Sequence, residues 1–312
     1  MNIALQCSLG LLLAIHVLAG LAGYLAPYEP EEQHRQYPWH PPLALRWDRG
    51  IAVEDPQSGR RVAVRWFTGG TRGWKLFQAE APGQVFLFGT DGLGRDQFSR
   101  LLHGARVSLF SGLAAAGLAA ILGLWLGGMA GFYGGLPDRV VMNASELFLV
   151  LPWMYLLLAA RAFFPLNSDP RLIFTVLLLV LGVIGWARPA RVVRGIVMSA
   201  KERDYVLAAR GFRAGSAYLL ARHVLPPALP AVLTSFCVAI PQYVAAEATL
   251  SFLGLGFSGS APSWGVLIAS LASLEVIHNY WWMWIPALAL ALVMACYSVV
   301  AHGLTAAGGY GQ

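Results

Sequence analysis

The sequence predicts an all-α membrane protein with about six transmembrane helices, and three observations support this fold class. Of the 312 residues, 57% are hydrophobic and only 12% are charged, whereas a soluble domain has roughly 25% charged residues. Several apolar runs approach or exceed the ~20 residues that cross a bilayer. The densest cluster of Lys and Arg, eight residues from Arg188 to Arg222, lies beside such runs. This placement fits membrane topology better than phosphate binding, so we expect no nucleic-acid partner.

Residues 1–26 are predicted to form the first transmembrane helix, because residues 3–26 are almost wholly apolar. The alternative is a cleaved signal peptide, whose apolar core is usually about 7–15 residues long. This run is longer, lacks a basic start and meets Pro27 where a cleavage site would be sought. We therefore expect an uncleaved membrane-spanning helix.

Residues 27–106 mix Pro, Trp, Arg and Glu and are predicted to lie outside the hydrocarbon core. The period-two alternation in Arg61–Trp66 predicts a short β-ribbon. We expect residues 27–88 to form a folded extracytoplasmic loop. The alternating charges and glycines of residues 87–106 predict an amphipathic stretch at the membrane interface, where Arg and Asp reach headgroups and water.

Residues 107–305 are predicted to form the membrane core of the chain. No charge occurs between Arg106 and Asp138, which leaves enough residues for the second span at 1.5 Å rise per residue. Glycines recur every four residues in this span and predict a smooth helix face that another backbone approaches closely. These glycines are Gly123, Gly127 and Gly131.

The other four spans have bounds set by charges and prolines. Glu146 and Arg161 lie near the ends of the third span, and we expect both side chains to extend towards water. Pro152 and Pro286 are expected to kink the third and sixth spans, because proline cannot donate a helical hydrogen bond. Residues 306–312 are predicted to be a tail. The four spans are predicted at residues 141–164, 172–187, 228–248 and 281–303.

The basic segment 199–226 predicts two short helices joined by a turn. Ser199 and Glu202 have the spacing of a capping box, which predicts a helix start at Ser199. The segment is too polar to span a bilayer and too short to fold as a separate domain, so we expect a partner to hold it. The residues predicted to break or cap its helices are Gly211, Gly215, Ser216, Pro226 and Pro227.

Within this segment, Tyr205-Val206-x-Ala208-Ala209-Arg210, followed by His223-Val224-Leu225-Pro226, resembles the EAA loop of binding-protein-dependent ABC importer permeases. In that family the loop is the cytoplasmic element that docks in a groove of the ATPase subunit. Two positions depart from the family pattern: Leu207 replaces the usual glutamate and Arg213 the usual glycine. We expect the flanking Gly211 and Gly215 to supply the turn. The alternative is an ordinary basic cytoplasmic loop. The residues expected to couple to the ATPase are Tyr205, Leu207, Ala208, Ala209, Arg210, Phe212, Gly215 and Pro226.

Two further segments resemble the dipeptide, oligopeptide and nickel branch of the same permeases. One precedes the second span, and the other follows the fifth span as Ser-Phe-Leu-Gly-Leu-Gly with a later Pro-Ser-Trp-Gly. The glycines of the second motif permit a non-helical turn, which is tolerated at membrane depth only where protein or water shields it. The motif residues are Gly89, Thr90, Asp91, Gly94, Arg95, Asp96, Ser251, Phe252, Gly254, Gly256 and Trp264.

The resemblance implies a type I ABC importer (MetI-like) permease fold in the bacterial inner membrane, importing peptides or a related small solute. It implies four kinds of partner: a second permease subunit, separate ATPase subunits, an extracytoplasmic solute-binding protein and membrane lipid. Segment 27–88 either contacts the binding protein or merely covers the transporter mouth. Six spans and the basic segment 188–226 predict that this segment and both termini are cytoplasmic.

The alternative function is an ion-coupled secondary transporter or channel, which would carry paired ionisable groups in mid-span. Glu146, Arg161 and Glu247 instead lie near span ends. Glu247 is expected to pair with a charge at a helix end, with a role in the solute path as the alternative. An intramembrane enzyme is disfavoured, because no paired catalytic residue types occur at helical spacing.

We expect no catalytic residue, metal or cofactor in this chain. A Walker A loop needs Gly-Lys-Ser/Thr, and the only lysines, Lys75 and Lys201, follow Trp and Ala. Cysteines lie far apart inside predicted spans, without disulfide or metal spacing. They are Cys7, Cys237 and Cys296.

Overall fold

The structure, a computed structural model, is helical over most of the chain and has one small antiparallel sheet. It describes residues 3–43, 45–47, 51–54, 61–70, 73–80, 83–163, 170–253 and 262–308. The chain divides into two compact units. The first unit comprises residues 1–9, 111–246 and 294–312, and the second comprises residues 10–110 and 247–293.

Helices occupy most of the predicted spans, the basic segment 199–226 and parts of the stretch between α10 and the last span. Their bounds are α1 (Ile3–Gly20), α2 (Ala22–Leu25), α3 (Gln97–Tyr133), α4 (Gly135–Val150), α5 (Trp153–Ala162), α6 (Pro170–Gly185), α7 (Ala187–Ala200), α8 (Asp204–Gly211), α9 (Ser216–Leu219), α10 (Leu229–Phe252), α11 (Trp264–Ala269), α12 (Leu274–Asn279) and α13 (Ile285–Gly308). Helix α3 starts ten residues before the predicted span, because its first three turns belong to the polar motif that precedes the apolar run.

The described residues contain four helical stretches that are long and apolar enough to cross a membrane: α1, α3, Ser216–Phe252 and Trp281–Leu304. Helices α4 and α5 make a fifth when they are taken as one broken span. Helix α6 has 16 residues, which is short for a crossing. Each of the six predicted segments is helical over most of its described residues, and the chain is a multi-pass membrane protein.

Pro152 breaks the third predicted span, whereas Pro286 leaves the sixth one unbroken. At Pro152 the α4–α5 pair bends by 85°, because Leu151 before it is extended at φ −68° and ψ 126° and ends α4. The predicted kink is thus a full break. Pro286 is the second residue of α13, preceded by a 3₁₀ turn at Trp281–Trp284. The predicted kink within the sixth span is therefore wrong, because proline is tolerated in a first turn.

A four-stranded antiparallel sheet, in the order β1-β2-β3-β4, lies in the second unit. Its strands are β1 (Leu45–Trp47), β2 (Ile51–Glu54), β3 (Arg61–Gly70) and β4 (Gly73–Ala79). The predicted β-ribbon at Arg61–Trp66 is confirmed and is longer than expected. In the β3–β4 hairpin, Trp66 lies opposite Phe77 and Gly69 opposite Trp74.

Candidate functional site

The short helix in the basic segment begins at Asp204 rather than at Ser199. Ser199 still belongs to α7, and its carbonyl accepts a hydrogen bond from the Glu202 N–H. The predicted capping box is therefore wrong, because α7 continues through the residue that was expected to cap the next helix. Asp204 places a negative charge in the first turn of α8, where the helix dipole favours it.

Arg213 makes the turn that ends α8. Its φ is +60°, in the left-handed region that favours glycine, because a Cβ there crowds the following carbonyl. Gly211 is instead the last residue of α8, and Gly215 has a φ of −66°. The expectation that these glycines supply the turn is wrong. The permease loops that this segment resembles carry glycine at the position of Arg213, and this position has a left-handed backbone here.

Pro226 and Pro227 were expected to end the second short helix of the segment. Instead they lie in a helical stretch that runs from Ser216 to Phe252. A π-helical turn at Leu220–Val224 and a 3₁₀ turn at Pro226–Ala228 accommodate the missing amide donors. Ser216 is the first residue of α9 and forms no side-chain cap, since Gly215 holds the cap position.

One face of the segment packs into a hydrophobic core of the first unit. Val206 of α8 is fully buried in this core, together with side chains from α3, α7 and α10. An eight-residue helix is marginal by itself, so this packing holds α8 in place. The buried members are Ala120, Val193, Val197, Ala200, Val206, Leu219, Leu220, Val224, Leu225, Ala228 and Val232.

The rest of α8 is exposed and carries apolar side chains beside the charged Asp204 and Arg210. Tyr205, Leu207 and Ala208 are exposed on it, and 89% of Phe212 is accessible just beyond the helix end. We call these four residues the α8 face. Arg210 is also exposed. Ala209, however, is partly buried against the core, so packing within the chain already explains its small size.

The three spaced glycines of α3 bring its backbone against α7. A methyl group at Gly123 would lie 2.7 Å from Cγ of Pro189. At Gly127 it would overlap the carbonyl oxygen of Ala190, and at Gly131 it would lie 2.8 Å from another carbonyl oxygen of α7. This stripe therefore leaves no room for a side chain between the two helices.

Ion pairs join α4 to α7. Arg194 donates through Nε and Nη2 to the two carboxylate oxygens of Asp138, with the Nη2 bond at 2.6 Å. Arg191 Nη2 donates to Glu146 Oε1 at 3.1 Å. Glu146, which was expected to extend towards water near a span end, has a 60% exposed side chain and also pairs with Arg191 of α7. The side chain of Arg161 lies outside the described residues.

Asp91 accepts four hydrogen bonds in the motif before α3. Its Oδ1 accepts from the backbone N–H groups of Leu93 and Arg95, each at 2.9 Å. Its Oδ2 accepts from Arg95 Nε at 2.8 Å and from Arg100 Nη1 at 2.5 Å. Asp91 and Arg100 are both buried. The expectation that these charges reach headgroups and water is therefore wrong for this pair.

Thr90 links the same motif to distant parts of the second unit. Its hydroxyl accepts from the His40 N–H at 2.8 Å, and its carbonyl accepts from the Trp282 indole at 3.0 Å. Gly89 and Gly94 have φ of +71° and +72°, which a residue with a side chain rarely adopts. The motif is thus a set of tight turns fixed by tertiary hydrogen bonds.

Asp96 caps the long helix α3. Its Oδ2 accepts from the Ser99 N–H at 2.8 Å, as an N-cap side chain does. Within the part of the chain that the structure describes, its Oδ1 has no hydrogen-bond partner. Burial raises the pKa of Asp96 to about 7, and hydrogen bonds from Ser99 oppose the shift.

Glu247 is buried in α10 and contacts serine side chains. The hydroxyl of Ser108, on α3, donates to Oε2, and that of Ser251 donates to Oε1, each at 2.7 Å. The Trp264 N–H donates to the Ser108 hydroxyl at 3.0 Å. Among the described residues Glu247 has no ion-pair partner, so the expected charge pairing at a helix end is wrong.

The Ser-Phe-Leu-Gly-Leu-Gly motif begins as the last turn of α10. Ser251 is buried and Phe252 is exposed. Gly254 and Gly256, the candidates for a non-helical turn, lie outside the described residues. Trp264, at the start of α11, is buried, and its indole donates to a backbone carbonyl of α3 at 3.0 Å.

Sequence reasoning missed the cluster around Glu247. Ser108 and Glu247 are separated by 139 residues, so their contact depends on how two helices pack. The available signal was a polar side chain inside each of two apolar runs, since such groups usually find partners within the protein.

The fold is similar to that of a membrane protein of known structure. The chain superposes on a subunit of the inward-facing MetNI methionine ABC transporter (CY5 native crystal form) with a TM-score of 0.50. The match covers 68% of this chain and 97% of that chain. At 17% sequence identity it establishes the fold alone, which is the predicted MetI-like permease fold.

Residues 120–307 match the family described as binding-protein-dependent transport system inner membrane component, and the chain belongs to this family. It is 35% identical to the dipeptide transport system permease protein DppC of Bacillus subtilis (strain 168), over 72% of this chain and 68% of that protein. It is 32% identical to the di/tripeptide transport system permease protein DppC of Pseudomonas aeruginosa (strain UCBPP-PA14), over 94% and 83%.

The oligopeptide transport system permease protein OppC of Bacillus subtilis (strain 168) is 34% identical, over 72% of this chain and 71% of that protein. The permease prediction is confirmed over the ion-coupled alternative. The family implies a solute-binding protein and ATPase subunits as partners, and ATP hydrolysis lies in those separate subunits.

Proposed function

We propose that this chain is a permease subunit of an ABC importer for peptides or a related small solute. The named relatives at 32–35% identity are all described as permeases for dipeptides, tripeptides or oligopeptides. A second permease subunit completes the membrane pathway, as a heterodimer. The basic segment 188–226 and both termini are cytoplasmic by the positive-inside rule.

We further propose that the α8 face is the surface on which the ATPase subunit docks. The observation that carries this proposal is the exposure of Tyr205 and Leu207 on α8 and of Phe212 just after it, while Val206 of the same helix is buried. Large apolar anchors beside a small residue suit a helix that lies in a partner's groove. Tyr205, Leu207 and Phe212 are the anchors, and Ala208 is the small residue at the contact. Arg210 and Arg213 lie at the rim, where charge tunes encounter more than affinity.

Movement of the ATPase reaches the membrane spans through the core beneath α8. Val206 shares that core with Val197 of α7 and Val232 of α10. Because a close-packed core does not compress, displacing α8 displaces the helices that pack on it. ATP-driven closure thereby shifts the permease between its inward- and outward-facing forms.

The docking proposal is tested by truncating Phe212 in the complete transporter. Phe212→Ala should weaken ATPase binding by about 1–4 kcal/mol, the usual range for an interface anchor. Phe163→Ala is the matched control, because Phe163 is 86% exposed but follows α5 and is not part of the segment 199–226. Copurification of the ATPase and solute uptake are measured for both. Equal ATPase retention in the two variants would refute the docking proposal.

A second substitution separates docking from folding. Ala208→Trp should block docking and leave the membrane domain intact, because Ala208 is exposed. Ala209→Trp should instead destabilise the loop, because Ala209 packs against its core. The solute is identified by testing which peptides stimulate ATP hydrolysis by the assembled transporter; no response to any peptide would contradict the substrate proposal.

A further inference from the structure

The β3–β4 hairpin carries exposed aromatic side chains near its tip. Phe67 is 63% exposed and Trp74 is 68% exposed, and Trp66 is also exposed. Trp74 lies across the hairpin from Gly69, which offers no side chain to cover the indole. Large exposed aromatic groups clustered on a small ribbon usually mark a contact surface.

Two hydrogen bonds show which way the hairpin points relative to α1. Lys75 Nζ donates to the carbonyl of Gly23 at 3.1 Å, and Gln78 Nε2 donates to the carbonyl of Pro27 at 3.3 Å. The membrane-spanning helix ends at Gly20, so Gly23 is closer to the span than Pro27 is. The residues of β4 that precede Lys75, and the hairpin tip beyond them, therefore point towards the bilayer.

The depth of the tip follows from the same contacts. Helix α1 has 18 residues, about 27 Å at 1.5 Å per residue, which nearly fills a hydrocarbon core of ~30 Å. Gly23 is three residues beyond it, so its carbonyl lies about 5 Å past the end of α1, and the Lys75 ammonium contacts this carbonyl at 3.1 Å. Trp74 precedes Lys75 in β4 and so lies on its bilayer side. That places its indole in the headgroup layer, which extends ~5–7 Å on each side of the core.

The described charges of the hairpin lie on either side of its aromatic residues. Arg61 and the exposed Arg65–Glu80 ion pair occupy the end away from the tip, Lys75 pairs with Glu29, and Arg72 in the connecting turn lies outside the described residues. The tip carries Phe67 and Trp74. Tryptophan favours the membrane–water interface, because its ring is apolar and its N–H still reaches water or headgroups.

We propose that the tip of the β3–β4 hairpin is a membrane-interface anchor, with Phe67 and Trp74 inserted among lipid headgroups next to the first span. The anchor holds the sheet at a fixed height over the bilayer beside α1. This assignment depends on the membrane-spanning helix α1 and on the hairpin's contacts with the residues after it, and not on the identity of the solute.

The test places a fluorescent label at the tip without removing the aromatic side chains. In a background without Cys7, Cys237 and Cys296, Gly69→Cys is labelled, because a Cβ at Gly69 meets only the Trp74 ring at 3.7 Å. Ala63→Cys, exposed at the other end of β3, is the matched control. The complete transporter is reconstituted with lipids that carry a quencher near the headgroup.

The label at position 69 should be quenched several-fold more strongly than the label at position 63. Changing Phe67 and Trp74 to serine in the Gly69→Cys protein should reduce that quenching to the control level. Equal, weak quenching at positions 69 and 63 overturns the proposal. Quenching that survives both serine substitutions also overturns the proposal. Shielding of position 69 that appears only when the solute-binding protein is added overturns it as well, since that result assigns the tip to a protein contact.

Discussion

Replacing Asp91 by asparagine should destabilise the second unit strongly. The Asn side chain keeps the shape and one oxygen, which can still accept from the backbone N–H groups of Leu93 and Arg95. It loses the negative charge that pairs with Arg95 and Arg100, and its amide would face two guanidinium donors. The loss is therefore confined to the two charge-assisted bonds and to the uncompensated burial of Arg100.

The size of the effect follows from burial. Asp91 and Arg100 each retain only 5% of their accessible surface. Removing one partner of a buried ion pair typically costs about 3–5 kcal/mol, because the other charge stays buried without compensation. With roughly 2 °C in melting temperature per kcal/mol for a chain of this size, the expected fall is ~6–10 °C.

The assay is thermal unfolding of the purified permease in detergent, and Glu80→Gln is the matched control. Glu80 pairs with Arg65 at the surface, so its loss should cost at most about 1 kcal/mol. The double variant Asp91→Asn with Arg100→Met should recover most of the stability, because an apolar residue leaves no charge unpaired. If Asp91→Asn melts at the same temperature as Glu80→Gln, the buried pair does not stabilise the fold.

Three further outcomes are expected in the same assay. Arg213→Gly should stabilise the permease by about 1 kcal/mol, because glycine relieves the strain of the left-handed backbone. Arg210→Gly inside α8 should destabilise it by a similar amount. The opposite signs would contradict the turn geometry. Gly127→Ala should lower the melting temperature, because its methyl group would overlap the carbonyl oxygen of Ala190 in α7. Gly117→Ala should not, because a methyl group there meets nothing closer than 3.9 Å. Equal effects would show that α3 and α7 separate easily. Stability should fall as pH rises from about 4 to 7, because the folded state keeps the Asp96 proton in that window and the unfolded state has lost it. Asp96→Asn, which can still cap the helix, should remove that part of the pH dependence; an unchanged profile would contradict it.

The apolar segments were predictable from the sequence because their signal is local and long. The charge-free run between Arg106 and Asp138 needs no knowledge of its neighbours to be recognised as a span. Pro152 likewise located a bend, although the predicted kink is a full break, because proline restricts the residue before it whatever the tertiary fold. The alternation at Arg61–Trp66 was short but regular, and it located the hairpin.

The errors arose where tertiary packing decides between equally plausible local readings. Ser199 and Glu202 have capping-box spacing, but α7 extends to Ala200 because Val193, Val197 and Ala200 pack into the core beneath α8. The inward direction of Asp91 depends on Arg100 and on turns held by distant residues. The direction in which the glycine stripe faces was also not local, since its neighbour α7 follows more than fifty residues later in the chain.

The bond from the Trp282 indole to the Thr90 carbonyl has a consequence for biosynthesis. Its partners are 192 residues apart, and Gln97 Nε2 likewise donates to the sulfur of Met283, at 2.7 Å. Since a chain is made from its N-terminus, the earlier spans are synthesised before the partners of Thr90 and Gln97 exist. A nascent permease that stops before Trp282 therefore leaves the Thr90 carbonyl and the Gln97 amide without these two hydrogen bonds. Buried polar groups without partners cost stability and make the incomplete chain a target for degradation. Completion of the final helix is the step that closes the second unit.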